Sequence, residues 1–230
     1  HCVFEYVYFS EADSKLEGIS VYRTRSNLGR VLASKIRERN LEADLVIPVP
    51  DTGRVASLAL ARELNLPHEE GLLKNKYSGR TFIMSHQSNR ERGVNSKLKP
   101  VREILENKRV IVVDDSIVRG TTSRKIINLI REEGKAKEII FISTFPEIRY
   151  PCCYGVDFQT KTELVANERD EEQIRAFIGA DKLIYNDLYN LKKAVGLEDL
   201  CVACVDGKYH TDVSESLQLE NLRKIHLNVK

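Results

Sequence analysis

No stretch of this 230-residue chain approaches the ~18 consecutive apolar residues that a membrane-spanning helix needs. A spanning helix is therefore not expected. A strong charge excess is missing too: 36 basic against 34 acidic residues leave a net charge of +2, too little for the clustered basic footprint of nucleic-acid binding. Internal repeats and low-complexity tracts are absent. So are the Gly-x4-Gly-Lys-Ser/Thr loop of nucleotide-binding P-loops and the Gly-x-Gly-x2-Gly dinucleotide fingerprint. The chain opens at His1 with neither an initiator Met nor an apolar secretion segment, which reads as a fragment or a processed product. With no export signal, a cytoplasmic setting is expected, and the five cysteines are reduced thiols or metal ligands rather than disulfides.

What remains is enough apolar sequence, 42% of the chain, for one well-buried α/β domain with an appended subdomain. The most informative run is Val110-Ile-Val-Val-Asp-Asp-Ser-Ile-Val-Arg-Gly-Thr-Thr-Ser123. Val110 to Val113 has the β-branched character of a strand buried on both faces of a parallel sheet. Open α/β sheets bind ligands at the carboxyl ends of their strands, where Asp114 and Asp115 fall. Arg119 to Ser123 then supplies a Gly, hydroxyls and successive N–H groups before Ile126, Ile127, Leu129 and Ile130 at helical spacing. An anion fits the start of such a helix. The paired acids would repel that anion, so ribose hydroxyls and hydrated Mg²⁺ are their natural partners. Together these features read as a sugar-phosphate site.

The rest of the chain alternates in the same manner. Cys2 to Phe9 reads as a strand, Asn27 to Arg39 as a helix, Asp44 to Val49 as a core strand and Val55 to Leu64 as a helix. Glu69 to Leu73 is a strand, Lys74 to Leu98 a polar segment, Arg102 to Glu106 a short helix and Glu138 to Phe145 a further strand. Beyond Pro151 helices dominate, at Glu171 to Ile178, Asp187 to Val195 and Leu217 to Leu227. The alternation predicts a mostly parallel, doubly wound sheet. Residues 1–20 form a strand and linker, 21–150 the core, and 151–230 a helical region packed on it.

The 110–123 run closely resembles the 5-phosphoribosyl-1-pyrophosphate (PRPP) motif of type I phosphoribosyltransferases, in the wording of the glutamine PRPP amidotransferase (amidophosphoribosyltransferase) family. The resemblance extends from Cys2 to about Asp212. It implies the type I phosphoribosyltransferase fold with a flexible lid loop. It assigns Asp114 and Asp115 to catalysis, and Ser116, Arg119, Gly120, Thr121, Thr122 and Ser123 to PRPP. Val49-Pro-Asp-Thr-Gly-Arg54 alone is an ordinary turn. Beside the first motif it resembles the pyrophosphate loop, which makes Asp51, Thr52, Gly53 and Arg54 substrate-binding residues and places Thr52 with Asp114 and Asp115 around Mg²⁺. Between Lys74 and Lys99 stand seven basic residues and one acid, Glu91. A loop of that length without clear periodicity is often a lid, and Lys74, Tyr77 and Arg80 match the family's phosphate-binding positions, which the resemblance adds to Asp114 and Asp115 as catalytic residues. The implied activity is pentosyl transfer: ammonia displaces pyrophosphate from C1 of PRPP to give phosphoribosylamine, the first step of purine biosynthesis.

Cys201-Val-Ala-Cys204 alone is compatible with a redox pair, half a metal site or coincidence. A four-thiolate site fits better than thioredoxin-type chemistry, and spacing does not separate zinc from iron–sulfur. The resemblance implies a structural [4Fe–4S] cluster on Cys2, Cys152, Cys201 and Cys204, with Cys153 an ambiguity beside Cys152. It further implies a glutaminase domain that supplies ammonia from glutamine and is not in this chain, purine nucleotide inhibitors and a homotetramer. Two other functions compete. A PRPP-sensing regulator would need a nucleic-acid surface, and a nucleobase phosphoribosyltransferase would need a hood that reads the base.

Overall fold

The computed structural model describes residues 1–74, 98–158, 160–197 and 199–215. Among them the chain forms, in order, strands β1 (Lys15–Leu16) and β2 (Ile19–Ser20), helix α1 (Val21–Glu38), β3 (Leu45–Pro48), α2 (Arg54–Leu64), β4 (Leu72–Lys74) and β5 (Leu98–Pro100). There follow α3 (Arg102–Leu105), β6 (Arg109–Asp114), α4 (Thr121–Glu132), β7 (Glu138–Ser143), α5 (Glu171–Ile178), β8 (Lys182–Tyr185), α6 (Leu188–Val195) and α7 (Ala203–Asp206). The central sheet has the order β3-β6-β7-β8, and every pairing in it is parallel. Two short antiparallel pairs, β1 with β2 and β4 with β5, lie outside it.

Strand periodicity divides the core in two. Val110, Val112, Ile139 and Phe141 pack with Ile126, Ile127 and Ile130 of α4 on one face. Their neighbours Ile111, Val113, Ile140 and Ile142 pack with Leu32 and Leu60 of α1 and α2 on the other. Burial on both faces explains why β6 and β7 read as continuous apolar runs. Local signals set the helix ends. Ser20 caps α1 by accepting from the Arg23 N–H, Asp170 caps α5 by accepting from Gln173, and Asp187 caps α6 by accepting from Asn190. Gly179 and Gly196 end the last two in left-handed geometry.

The N-terminal segment departs from its expected strand. Glu5–Phe9 is a π-helical turn, and the buried residues of this segment, Val3 and Phe4 before the turn and Tyr6 and Val7 within it, fall at helical rather than alternating spacing. They pack against Phe145, Phe158, Leu164 and Leu191, forming a third apolar cluster. β-Branched and aromatic composition suggested a strand there, but packing against this cluster decided otherwise. The expected Glu69–Leu73 strand lies later, at β4, while His68 makes a single parallel bridge to Val46. The helix starts at Val21, earlier than Asn27, because the Ser20 cap sits before it. Strand β8 was not anticipated. It is four residues long and is defined by its pairing with β7. The expected helix at Leu217–Leu227 and residues 75–97 of the expected lid lie outside the described residues. No described helix is long and apolar enough to cross a membrane.

Candidate active site

Two strand-end loops build the site. β3 and β6 are neighbours, and the Val49 N–H donates to the Val113 carbonyl at 2.8 Å, so the chain leaves both strands at one point. From β3 it enters Pro50-Asp51-Thr52-Gly53 and then α2; from β6 it enters Asp114 to Gly120 and then α4. Gly53 lets the first loop pass close to the second strand. A Cβ there would lie 2.4 Å from the Val113 carbonyl oxygen and 2.8 Å from that of Val49. Gly120 has φ +72°, and its missing Cβ leaves room for Phe177 and Val165, each 3.0 Å from where it would be.

The loops line a cavity of about 600 Å³. Facing it are Thr52, Asp114, Asp115, Ser116 and residues 119–123, the main part of the predicted set. Its far wall was not foreseen: Phe4, Tyr8 and Phe9 come from the N-terminal turn, and Asp157 and Phe158 from the C-terminal region. Asp51 and Lys74 face an adjoining cavity of about 460 Å³, which shares Tyr8, Phe9, Pro50 and Thr52 with the first. There they form an ion pair. Gly53 lies beneath the loop, and Arg54 is held by Asp51 at 3.5 Å and Glu70 at 3.1 Å. Arg119 is tethered through Nε to Glu163 at 2.8 Å and through Nη2 to the Asp157 carbonyl at 3.0 Å. Tyr77 and Arg80 lie outside the described residues.

Both acids are 7% exposed. Burial raises the pKa of each, Asp114 well above the usual carboxylate range, where the Asp115 charge adds to the effect. The Thr52 hydroxyl and the Ser116 N–H draw Asp115 back down. Asp115 Oδ1 accepts from the Ser116 N–H at 2.6 Å, whereas its Oδ2 is buried with no hydrogen-bond partner. An orphaned carboxylate oxygen beside a threonine hydroxyl suits a cation or a ribose hydroxyl. The start of α4 offers the opposite charge, since no side chain caps it and its first residues, Thr121 to Ser123, line the cavity.

Arg25, a residue of the adjoining cavity's wall, also lies outside the predicted set. It is 5% exposed and donates from Nε to the Tyr6 carbonyl at 3.0 Å and from Nη2 to that of Ser10 at 2.7 Å. Its charge feels Asp115. A basic residue on the apolar face of α1, beside Val21 and Leu28, was the available signal.

The cysteines gather elsewhere. Cys2, Cys152, Cys201 and Cys204 line one cavity of about 780 Å³, although they come from the start, middle and end of the chain. A parallel bridge joins Cys2 to Cys201, and Arg149 and Tyr150 donate their N–H groups to the Cys204 carbonyl. All four thiols are free of disulfides. Burial, then the other three thiols, pushes the Cys204 thiol pKa strongly up. Cys153 lies against Tyr209. Among the described residues, no group of three or more His, Cys, Asp or Glu side chains is arranged to hold a metal ion.

Comparison with known proteins agrees with this geometry. The phosphoribosyl transferase domain model matches residues 23–174. An amidophosphoribosyltransferase from Methanocaldococcus jannaschii is 50% identical over 213 residues, which is 93% of this chain and 44% of that protein. One from Bacillus subtilis is 44% identical over 97% of this chain and 47% of its own length. The solved glutamine PRPP amidotransferase of B. subtilis, complexed with ADP and GMP, superposes with a TM-score of 0.82 at 45% identity, covering 93% of this chain and 48% of that one. The chain spans about half the length of the curated relatives it matches. Because the matched domain covers most of the chain and contains both loops that build the cavity, the chain belongs to the phosphoribosyltransferase family.

Proposed function

We propose that the chain is the phosphoribosyltransferase half of an amidophosphoribosyltransferase, which joins ammonia to C1 of PRPP and releases pyrophosphate. The observation that carries this reading is the convergence on one cavity of two buried acids and an uncapped helix start, bordered by the Asp51–Arg54 loop. In it, the sugar 5-phosphate takes the N–H groups and hydroxyls of Thr121, Thr122 and Ser123. The ribose hydroxyls face Asp114 and Asp115, and pyrophosphate lies over Asp51 to Arg54. Lys74 stands beside this loop, and the family resemblance gives Tyr77 and Arg80 phosphate-binding roles with it; keeping water from the bound substrate would favour ammonia over hydrolysis.

The lone pair of neutral ammonia forms the new bond to C1. The electron pair of the C1–O bond leaves with pyrophosphate, C1 inverts, and a proton from nitrogen goes to solvent. No covalent enzyme intermediate is needed, so the residues work by positioning and by balancing charge. Thr52, Asp114 and Asp115 would hold Mg²⁺, and the orphaned Asp115 Oδ2 fits that part. An ion held by these residues would supply charge neutralisation toward the leaving pyrophosphate.

Cys2, Cys152, Cys201 and Cys204 would hold a structural [4Fe–4S] cluster. Four thiols that line one cavity match the donor set such a cluster would need. Glutamine would be the ammonia source through a glutaminase domain beyond this chain, a reading supported by the greater length of the relatives. Purine nucleotides as inhibitors extend from the ADP and GMP of the solved relative. A homotetramer and a cytoplasmic setting rest on family analogy.

Pyrophosphate release from PRPP, titrated with ammonia and with purine bases, tests the reaction. Release that depends on ammonia alone is expected. Release that depends on a base would overturn the reading in favour of a nucleobase phosphoribosyltransferase.

A further inference from the structure

Behind the Asp51–Arg54 loop, the ring Nε2 of His68 lies 2.8 Å from Ser57 Oγ, and the same hydroxyl donates to the Arg54 carbonyl at 2.9 Å. A hydroxyl has one proton to give. With that proton on Arg54, the ring must donate to Ser57 through Nε2–H, so the tautomer is defined by the chain of bonds. Ser57 is fully buried, out of reach of bulk solvent.

The backbone of this segment is anchored to the strand that carries the loop. The Val46 N–H donates to the Pro67 carbonyl at 2.9 Å, and the Glu69 N–H donates to the Val46 carbonyl at 3.0 Å. From that anchor His68 reaches across to α2, on the far side of the loop. Two residues on, Glu70 holds the Arg54 guanidinium. The loop is therefore tied at its entry by Val49 to Val113, and at its exit by the side chains of His68 and Glu70.

We propose that His68 and Ser57 are positioning residues for the Asp51–Arg54 loop, holding its exit in register with the strand that carries its entry. This rests on the reading of that loop as the pyrophosphate seat. Neither side chain lines the two cavities beside the loop, so both act through Arg54 and the first turn of α2. Small displacements of a binding loop cost affinity for the group it binds more than for groups bound elsewhere.

The test compares His68→Leu, His68→Gln and Ser57→Ala in the complete protein. It measures kcat and KM for PRPP with ammonia, together with inhibition by pyrophosphate and by ribose 5-phosphate. His68→Leu and Ser57→Ala are expected to raise the PRPP KM and the pyrophosphate inhibition constant about fivefold, equivalent to ~1 kcal/mol. The ribose 5-phosphate constant should stay unchanged, and kcat should shift by less than about twofold. His68→Gln, whose amide N–H replaces Nε2–H, should restore pyrophosphate affinity. Equal weakening toward both inhibitors, or a lowered Tm with unchanged affinities, would overturn the proposal. No inhibition of the unsubstituted protein by pyrophosphate would overturn the pyrophosphate-seat reading itself, and the proposal with it.

Discussion

Val49 donates its N–H to the carbonyl of Val113 at 2.8 Å, at the point where two neighbouring parallel strands both end. That bond brings Asp51–Arg54 beside Asp114–Asp115, two segments far apart in the chain. The consequences can be measured.

Replacing Asp114 or Asp115 with Asn should lower ammonia-dependent turnover by about 10²-fold, the scale of losing one electrostatic contact to the reacting groups. Folding should not suffer. Burial disfavours both charged forms, so the Asn variants should match or exceed the unsubstituted Tm in metal-free buffer. Steady-state rates and thermal melts check the pair of outcomes, and turnover near the unsubstituted rate would refute the assignment.

Gly53→Ala would drive a Cβ into two backbone carbonyls rather than into a yielding side chain. Overpacking of this kind should destabilise the fold by about 1–3 kcal/mol, with a weakened pyrophosphate affinity alongside. Urea denaturation and inhibition by pyrophosphate measure the two effects separately.

At the other end of the same strands, Asp44 accepts from the Arg109 N–H at 2.7 Å and from Nη2 at 2.9 Å. These bonds hold its pKa below the usual value. A depressed carboxylate pKa contributes stability that is complete above the unfolded-state value of about 3.9 and is lost as pH falls through the folded value. Because solvent screens this pair, Asp44→Asn should cost only about 0.5–1 kcal/mol at neutral pH, and the gap to the unsubstituted protein should close as pH falls below about 4. A gap unchanged at low pH would show that charge is not its source.

Anaerobically purified protein should be brown and contain about four irons per chain, as a [4Fe–4S] cluster requires. Cys201→Ser or Cys204→Ser should lose iron and lower Tm, while Cys153→Ser should keep both. Colourless, iron-free protein with full activity would refute the cluster.

Much of the sheet could be read directly. The Val110–Val113 and Glu138–Phe145 runs, and the Asp44–Val49 run ended by Pro48 and Pro50, carry their own patterns, because a strand buried on both faces must be apolar throughout. The caps at Asp170 and Asp187 are equally local. Phe4, Tyr8 and Phe9 were not legible as a cavity wall. Their segment has strand-like composition, and its turn is dictated by Phe145 and Phe158, which lie far along the chain.

The sequence by itself determined the chemistry of each loop. Adjacent acids, a Gly followed by hydroxyls, and the spacing of Cys201 and Cys204 are properties of neighbouring residues, and short-range sterics and charge act on them directly. Only the tertiary structure decided which loops meet. Strand order placed β3 beside β6, the N-terminal turn closed the far wall, Arg25 came within reach of the Asp115 charge, and four distant cysteines came to line one cavity. Those relationships follow from parallel pairing and the burial of apolar faces, which act between residues that the linear pattern does not connect.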